Sequence, residues 1–446
     1  MKIFIPSKLS LQTHFQKYPP PRINKFSEIK LALLLSQIIV VSANNKKTRD
    51  QDGFVSLSSS MLQRMVREYR QYLDYSRDTG IIQEKSQFIV NKKCRHFRFH
   101  PKFDSKLKVY PIGNYRLPKF VRENFSHNIS LPKKYQFLAL PFESGELRIA
   151  YRPALDFIER QLNYYLQHPD EVPTYRVTGS IFRRRKRPID QFNSAMYNLD
   201  RLVVQDYHMN IDDTAGRCHS NLTNMPSLLR HFLTYGGESL VSIDVSGSQP
   251  YIMNMLLHPS FYIGGKNFSF SQNIELIEYE YKSGRKTNQR GLRIDQLSTK
   301  MEKEIVRSKE DASTIITLVN QGQTLASKEF QRYRNITTSG KFYTYLQKGL
   351  SRDVNSEFGN LKEVKVEVLR IFFSSNTFFK QEAAKPKQWF AKNFSTIYDI
   401  THFYKQYNKS YFPTLLQRAE AEVMLNRVAR RISHQKLNIP CFTVHD

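Results

Sequence analysis

An alternating pattern of apolar and polar residues leads to an aspartate in the middle of the chain. Over residues 240–251, LVSIDVSGSQPY, Val241 and Ile243 alternate with polar positions, as in a half-buried strand, and the alternation stops at Asp244. The glycine and the proline that follow favour a turn. The pattern therefore predicts a strand that places the Asp244 carboxylate at its end, where it either stabilises the turn or takes part in chemistry.

The final segment, IPCFTVHD, has a similar arrangement. An apolar run leads to His445 and Asp446. Two carboxylates at neighbouring strand ends can hold two divalent ions for in-line phosphoryl transfer, because one ion activates the attacking oxygen and the other stabilises the leaving oxygen. We therefore expect Asp244 and Asp446 to be catalytic and to bind two Mg²⁺ ions.

The N-terminal part of the chain shows helical periodicity followed by strand periodicity. A helix is predicted over residues 24–42, and two shorter helices follow, the first with serine N-caps at 58–60 and the second ending at the C-cap Gly80. Two strands, at 87–90 and 95–99, complete the order of a winged helix. The alternative is a small α+β domain that does not touch DNA. Four cations are expected at or near the wing tip, where phosphates are contacted: Lys92, Lys93, Arg95 and Arg98.

A second basic segment lies further along the chain. Residues 154–168 have the pattern of an amphipathic helix, and a run of cations follows Phe182. The run could clamp the backbone of a duplex, each phosphate contact adding a salt-sensitive increment to affinity, or it could be a solvated charge run. Its members are Arg183, Arg184, Arg185, Lys186 and Arg187.

The charge of the chain narrows the class of partner. In 446 residues, 68 lysines and arginines face 40 acidic residues, which gives a formal net charge of +28. Such a positive electrostatic field favours the binding of a polyanion, and nucleic acid is the commonest polyanion. The apolar run at 31–41 is short and interrupted by polar residues, which is typical of a buried helix, so no membrane partner is expected. An export signal is lacking and the three cysteines have no disulfide or zinc spacing, so we expect a cytoplasmic protein.

From residue 214 onwards, several motifs occur in the order and spacing of a known family. T-A-G-R at 214–217 and N-L-T-N-M-P at 221–226 precede Asp244, and Lys365 and Phe373 stand eight positions apart before the final His-Asp pair. In these segments the chain resembles the palm and fingers of the family A nucleic-acid polymerases. One alanine is inserted into the family's T-G-R segment, and a serine replaces the glycine that usually follows the aromatic residue.

The resemblance, which covers about residues 205–446, implies roles in nucleotide binding. Lys362 and Lys365 would bind the triphosphate and Phe373 would contact the base. The alternative is a plain amphipathic helix with exposed lysines. Gln249 stands where the family's DNA polymerases have a glutamate that excludes ribonucleotides, so the choice of sugar stays open.

The resemblance also implies contacts to a primer–template duplex. An arginine can reach minor-groove acceptors that every correct base pair presents, so it can check pairing geometry without reading sequence. For Arg217 the alternative is an ion pair with Asp212 or Asp213, and for Gln417 it is a structural role. The implied contact residues are Arg217, Asn224, Arg230 and Gln417.

Together the patterns predict an α+β protein. We expect a winged-helix-like module at 1–110, a helical and basic thumb-like linker at 111–204, and a right-hand polymerase-like palm with helical fingers at 205–446. The fingers would carry an insertion at 261–345, with a helix at about 301–319. Because the family's palm continues with a second strand after the His-Asp pair, we expect a truncated chain, either a fragment or a damaged polymerase.

The leading hypothesis is a template-directed nucleotidyltransferase of the DNA polymerase kind, from a mobile element or phage. It would act on a DNA primer–template duplex and nucleoside triphosphates. One alternative is a non-catalytic DNA-binding replication or regulatory protein, and another is a single-subunit RNA polymerase.

Overall fold

A computed structural model describes most of the chain as two compact units. The first comprises Met1–Ile211, Cys218–Val241 and Ile432–Asp446, and the second comprises Asp212–Arg217 and Ser242–Arg431. This division differs from the three expected segments, because the expected linker and the first part of the expected palm fall in one unit. Helices and strands are both present, as expected for an α+β protein. The described residues are 2–20, 26–44, 48–50, 52–85, 94–121, 128–176, 183–185, 187–245, 247–257, 327–354, 358, 360–406, 408–435 and 439–444.

The first unit mixes short strands with helices of varied length. Its strands are β1 (Ile3–Pro6), β2 (Val55–Leu57), β3 (Ile82–Lys85), β4 (Arg95–Phe99), β5 (Leu107–Tyr110), β6 (Asn128–Ser130), β7 (Leu147–Ile149), β8 (Thr174–Arg176), β9 (Arg183–Arg185), β10 (His208–Ile211), β11 (Cys218–Ser220), β12 (Leu233–Tyr235) and β13 (Glu238–Ser239). Its helices are α1 (Leu11–Lys17), α2 (Glu28–Asn44), α3 (Ser59–Met65), α4 (Tyr69–Asp78), α5 (Leu140–Glu143), α6 (Tyr151–Gln167), α7 (Pro188–Val203) and α8 (Asn221–Asn224).

Helix α2 lies at the centre of the N-terminal part. Its residues from Leu31 to Val40 are all between 0% and 4% exposed, because apolar residues occur all round the helix. Two of its polar side chains bond within the helix, since Ser36 Oγ and Gln37 Nε2 donate to the Leu33 carbonyl at 2.7 and 3.1 Å, whereas the buried Gln37 Oε1 has no hydrogen-bond partner among the described residues. The prediction of a buried helix here is confirmed. None of the helices in the described part of the chain is long and apolar enough to cross a membrane.

Two short helices and a three-stranded sheet pack against α2. Helix α3 begins after the N-cap Ser58, and α4 is followed by Gly80 at φ +72°, as predicted. The sheet order is β2-β4-β3, with both neighbours antiparallel to β4. Strand β2 was not predicted. The other strand that pairs with β4 is β3, which begins two residues after Gly80. The chain enters the core at this point, where Ile81 and Ile82 are 0% and 1% exposed. The strand expected at 87–90 lies outside the described residues.

The remaining strands form four small sheets. Strand β1 pairs with β5, the orders β11-β10-β6 and β13-β12-β7 form two three-stranded sheets, and β8 pairs with β9 in a two-stranded ribbon. Helix α6, which corresponds to the predicted helix at 154–168, packs against α7. Both helices present one apolar side, so the contact buries Ile158, Leu162 and Phe192.

The regular secondary structure in the described residues of the second unit is helical. Its helices are α9 (Ser248–Leu256), α10 (Ser327–Thr338), α11 (Phe342–Val354), α12 (Leu361–Phe373), α13 (Lys385–Asn393), α14 (Ser395–Lys405) and α15 (Tyr411–Ala421), continued by a π-helical segment, Glu422–Ala429, and by α16 (Arg430–His434). The core contains a chain of aromatic contacts in which Tyr333 meets Phe342 and Phe394 edge-on. The helix expected at 301–319 lies outside the described residues.

The sequence over 414–436 predicts an amphipathic helix with an apolar stripe through Leu416, Ala419, Val423 and either Val428 or Ile432. The buried stripe of α15 and its continuation departs from this prediction after Ala419. Leu416 and Ala419 are buried as predicted, but Val428 is 41% exposed, and Leu425 and Ala429 take the buried positions. The reason is the π-helical segment, because its wider turn lets positions four residues apart share a face.

Two expected strands are not formed. Residues 240–245 belong to no strand, and Val241 and Ile243 are 88% and 91% exposed, so the expectation of a half-buried strand is wrong. A strand needs a hydrogen-bonding neighbour, and none of the described strands pairs with this segment. Residues 439–444 likewise form no strand, although Phe442 packs edge-on against Phe142 with ring centroids 5.2 Å apart.

Candidate functional site

The T-A-G-R segment is a tight loop stabilised by Asp212. The Asp212 carboxylate accepts the backbone N–H groups of Thr214, Ala215 and Arg217 at 2.9, 2.6 and 2.9 Å. Gly216 adopts φ +68°, a conformation that glycine reaches without strain. The Asp212 side chain is therefore engaged with the loop backbone, which fixes the direction in which the chain presents Arg217.

The loop is held against helix α15 by two arginines. Arg418 Nε and Nη2 donate to the carbonyls of Thr214 and Asp213 at 2.6 and 3.1 Å. In the other direction, the Arg217 guanidinium donates to the Glu420 carboxylate. The sequence suggested an ion pair of Arg217 with Asp212 or Asp213, whereas the salt bridge observed for its guanidinium is to Glu420, an acid on a distant helix.

Glu420 also reaches the segment that carries Asp244. Its second oxygen accepts the hydroxyl of Ser248, the first residue of α9. Gly247, the N-cap of α9, adopts φ +65° directly before the helix begins at Ser248. The segment after Asp244 therefore leads into a helix, while the strand expected before it is not formed.

Tyr343, on α11, completes this group. Its ring carbon Cε2 lies 3.7 Å from the point that a Cβ of residue 247 would occupy. Burial raises the pKa of the Tyr343 phenol, and the negative charges of Asp244 and Glu420 raise it further. We call Arg217, Asp244, Ser248, Tyr343 and Glu420 the Asp244 cluster.

The Asp244 cluster offers oxygen donors of the kind that Mg²⁺ prefers. Asp244 itself is exposed, whereas Glu420 is already engaged by Arg217 and Ser248. In the described part of the chain, no group of three or more His, Cys, Asp or Glu side chains is arranged to hold a metal. Asp446 and His445 lie outside the described residues, so the site for two metal ions stays a prediction. The exposed carboxylate of the cluster that could contribute to it is that of Asp244.

Helix α12 carries the predicted nucleotide-binding residues. It begins after Asn360, whose side chain accepts the N–H of Lys362 at 3.0 Å. Lys362 and Lys365 are exposed, Leu369 is 41% exposed, and Phe373 is half-buried against the core of the unit. One exposed face therefore combines two cations with apolar surface, which suits a nucleotide and also fits a plain amphipathic helix.

The other predicted contact residues are distributed over both units. Gln249 lies in the first turn of α9 and Gln417 on α15, both half-exposed and both in the second unit. Asn224, at the end of α8, and Arg230 belong to the first unit, and Arg230 Nε donates to the Leu222 carbonyl at 3.0 Å.

The basic run is divided by the fold. Its first three arginines form strand β9, and Arg185 pairs with Asp170 at 2.9 Å. Arg187 instead points inward: it pairs with Asp104 at 2.6 Å and lies against Gly53. The Arg187 side chain is therefore engaged within the protein and is not available to contact the phosphates of a duplex. Lys186 lies outside the described residues.

The cations expected on the wing are also partly engaged. Arg95 pairs with Glu84 at 2.8 Å and its side chain is only 16% exposed. Arg98 donates to Gln83 and to the Asp52 carbonyl, and its guanidinium stacks over Phe54 at 4.5 Å. Both arginines stabilise the sheet, which makes them poor first choices for phosphate contact. Lys92 and Lys93 lie outside the described residues.

Sequence reasoning missed three members of the Asp244 cluster. Glu420 could have been suspected, because it stands three residues after Gln417 and shares its side of α15. Ser248 is one of several serines in its segment, and nothing in the local sequence marks Tyr343.

Comparison with known proteins found no family model that matches the chain, and no match among curated proteins or among solved structures.

Proposed function

We propose that the chain is a template-directed nucleotidyltransferase of the DNA polymerase kind, acting on a primer–template duplex and nucleoside triphosphates. The observation that carries this proposal is the convergence of three distant segments in the second unit. The loop Asp212–Arg217, the turn after Asp244 and helix α15 meet through Glu420. Each of these segments carries residues of the polymerase resemblance, so their meeting supports the proposal.

The proposed roles follow from charge and exposure. Asp244 would present its carboxylate to Mg²⁺, which when bound supplies the positive charge for phosphoryl transfer. Lys362 and Lys365 would hold the triphosphate as point charges, and Phe373 would lie under the base. Arg217, paired with Glu420 and only 17% exposed, would hold the loop 212–217 against helix α15.

We also propose that the N-terminal part is a winged helix that binds DNA. The order of α2, β2, α3, α4, β3 and β4, with the sheet order β2-β4-β3, supports it. So does the charge of residues 1–110, which contain 21 lysines and arginines against 8 acidic residues. Because Arg95 and Arg98 are engaged internally, the exposed Arg67, Arg70 and Gln71 at the start of α4 are the better candidates for groove contacts.

The test of the polymerase proposal is primer extension by the full chain with Mg²⁺ and each of the two nucleotide classes. Asp244→Asn is expected to abolish incorporation without changing duplex affinity, because it removes a ligand charge at constant size. Glu382→Gln, an exposed acid of the same unit, serves as the control and should extend primers normally. Extension that survives Asp244→Asn would remove the proposal, and a preference for ribonucleotides would reassign the chain to RNA synthesis.

A non-catalytic DNA-binding protein is the second candidate. The exposed segment at 240–245, which forms no strand, favours it, because a catalytic aspartate is best held by a rigid strand. This candidate predicts salt-dependent duplex binding with no incorporation of any nucleotide, and no effect of Asp244→Asn on binding.

A further inference from the structure

Two of the three cysteines of the chain lie at one small pocket in the first unit. Strands β10 and β11 contribute Met209, Cys218 and Ser220 to its wall, and the final segment, residues 439–444, contributes Cys441 and Thr443. The pocket has an empty volume of about 180 Å³, which is below the roughly 300–1,000 Å³ of a typical small-molecule site. It is therefore better explained as the place where two thiols meet than as a site for a ligand.

Strand β11 directs Cys218 into this pocket. Met209 lies opposite Ser220 in the antiparallel pair of β10 and β11, and both side chains line the pocket. Side chains two residues apart in a strand share a face, so Cys218 points to the same side as Ser220. Cys218 is 3% exposed, and a hydrogen bond joins its sulfur to the hydroxyl of Thr443. The buried thiol is therefore already in contact with the final segment.

The final segment brings the second thiol to the same place. Phe442 anchors the segment by packing edge-on against Phe142, with ring centroids 5.2 Å apart. The residues on either side of Phe442 are Cys441 and Thr443, and both line the pocket. Because two residues of chain span at most about 7 Å, Cys441 lies close to the threonine whose hydroxyl bonds to Cys218. All three thiols of the chain are free, so the two at the pocket are available to each other.

We propose that Cys218 and Cys441 form a reversible disulfide that fixes the final segment to strand β11. The electron acceptor is a small organic disulfide such as oxidised glutathione. The partly exposed Cys441, as its thiolate, attacks one sulfur of this disulfide, which releases one glutathione thiolate and leaves a mixed disulfide. The Cys218 thiolate then attacks the Cys441 sulfur and releases the second glutathione thiolate. The two protein thiols lose two protons, and two electrons reduce the small disulfide to two thiols.

The disulfide gives the final segment a covalent attachment. In the reduced chain, the ring packing of Phe442 and the hydrogen bond between Thr443 and Cys218 are non-covalent contacts. The final segment leads directly to Asp446, and Cys218 directly follows Arg217, so the bond joins two parts of the chain that carry predicted site residues. Its formation needs neither nucleotide nor duplex, and it is therefore independent of the proposed polymerase activity.

Burial makes both thiols slow to react at neutral pH. It raises the pKa of Cys218 to about 11, and it also raises the pKa of Cys441. A thiol attacks a disulfide as its thiolate, and a raised pKa lowers the thiolate fraction at a given pH. Cross-linking should consequently become faster as the pH rises, by about tenfold for each pH unit while the pH stays below both pKa values.

The test is oxidation of the full chain by oxidised glutathione, under native conditions and in urea. Remaining thiols are blocked with iodoacetamide, and tryptic peptides are analysed by mass spectrometry without reduction. Trypsin releases Cys218 in the peptide 218–230 and Cys441 in the peptide 437–446, each with a single cysteine. The expected product is a linked pair of these two peptides, lighter than their sum by two hydrogen atoms and separated by dithiothreitol.

The exposed Cys94 is the control for selectivity. Under native conditions the link between Cys218 and Cys441 should exceed links to Cys94 by about tenfold or more, because the fold holds the two thiols at one pocket. In urea this preference should disappear. Comparable yields of the three links in the native chain, or glutathione retained on Cys441 with no link, overturns the proposal.

Two serine variants and hydrogen exchange test the attachment of the final segment. Cys94→Ser keeps the pair and should form the link as the native chain does, whereas Cys441→Ser, at a partly exposed position, should not. Exchange in the peptide 437–446 should slow several-fold on oxidation of the native chain and of Cys94→Ser, and should recover on reduction. It should be unchanged by oxidation in Cys441→Ser. Exchange that oxidation leaves unaltered in Cys94→Ser overturns the assigned attachment.

Discussion

The Arg217 guanidinium donates to the Glu420 carboxylate across 203 positions of sequence. Both side chains are largely shielded, at 17% and 18% exposure, and the buried Arg217 Nε has no further partner among the described residues. Because Glu420 also accepts from Ser248, one carboxylate fixes both the loop that ends at Arg217 and the turn that follows Asp244.

Removing the Glu420 carboxylate should destabilise the second unit. Glu420→Ala leaves the Arg217 guanidinium shielded and without a counter-charge, which costs on the order of 1–3 kcal/mol in the free energy of unfolding. Urea denaturation measures this loss. The double variant with Arg217→Ala should recover part of it, because no unpaired charge is then left. Equal losses in the single and double variants would contradict the assigned pair.

The exposed face of α12 predicts a binding effect without a folding effect. Lys365→Ala should leave thermal unfolding unchanged and raise the KM for the nucleotide roughly 10- to 100-fold, since a hydrogen bond to a charged group contributes about 1.5–3 kcal/mol. Lys348→Ala, an exposed lysine on the neighbouring helix α11, is the control and should bind nucleotide normally. Equal effects of the two variants on KM would show that Lys365 acts only through the overall positive charge of the protein.

Variants in and just before helix α4 can distinguish arginines that contact DNA from arginines that form ion pairs within the protein. Arg67→Ala with Arg70→Ala should weaken duplex binding and lower its salt slope by about 2, because both side chains are exposed at or just before the start of the helix and the contact of Arg70 with Asp74, at 3.8 Å, is screened by solvent. Arg77→Ala removes one cation from the same helix, but Arg77 is engaged by Asp74 and Glu84 at 2.8 and 3.2 Å. It should change stability more than affinity. A loss of affinity confined to Arg77→Ala would contradict the orientation proposed for α4.

Local signals in the sequence were sufficient for much of the fold. The serine N-cap at Ser58 and the glycine at Gly80 each depend on a few neighbouring residues, and both are present. The buried helix α2 could be predicted because its apolar residues extend round the whole helix. The expectations that concerned Val241 and Ile243 were wrong, because alternation indicates a strand only where a partner strand and a covering layer exist.

The candidate site was less accessible to sequence reasoning, because its contacts are long-range. The sequence around Arg217 gives no sign that its guanidinium bonds to Glu420. Asp212 is much closer along the chain, but its carboxylate accepts backbone N–H groups of the loop. Arg187 shows the same effect, since a run of cations gives no sign that its last member points inward towards Asp104. Charge runs therefore predict a class of partner better than they predict individual contacts.

Gly349 marks a close approach between helices α11 and α13. A Cβ at this position would lie 2.1 Å from Cζ2 of the Trp389 ring, and the ring is 5% exposed and hydrogen-bonded to Asp353 at 2.7 Å. Alanine normally stabilises a helix interior relative to glycine by about 1 kcal/mol. Here the clash dominates, so Gly349→Ala should destabilise by about 1–3 kcal/mol. Thr344→Ala, exposed on the same helix, is the control and should be neutral or slightly stabilising in the same denaturation assay.

Two buried lysines predict how the stability of the second unit depends on pH. Lys387 and Lys405 are 0% and 3% exposed, and their ammonium groups donate to the Ser375 and Ile371 carbonyls at the end of α12, at 2.7 and 3.3 Å. Burial lowers the pKa of Lys387 to about 8, and burial together with the charge of Lys387 lowers the pKa of Lys405 to about 7. In the unfolded chain both amines keep their ordinary pKa of 10.5.

Between about pH 7 and pH 10.5 the unfolded state therefore holds protons that the folded state has released, and the free energy of unfolding should rise with pH across this window. Below about pH 7 the lysine contribution is constant and at its least favourable. Urea denaturation at several pH values should give a rising curve for the native chain and a flatter one for Lys405→Met, which replaces the amine by an apolar side chain of similar length. Lys348→Met, at an exposed position, should retain the native slope, and a Lys405→Met curve as steep as the native one would show that Lys405 stays charged in the fold.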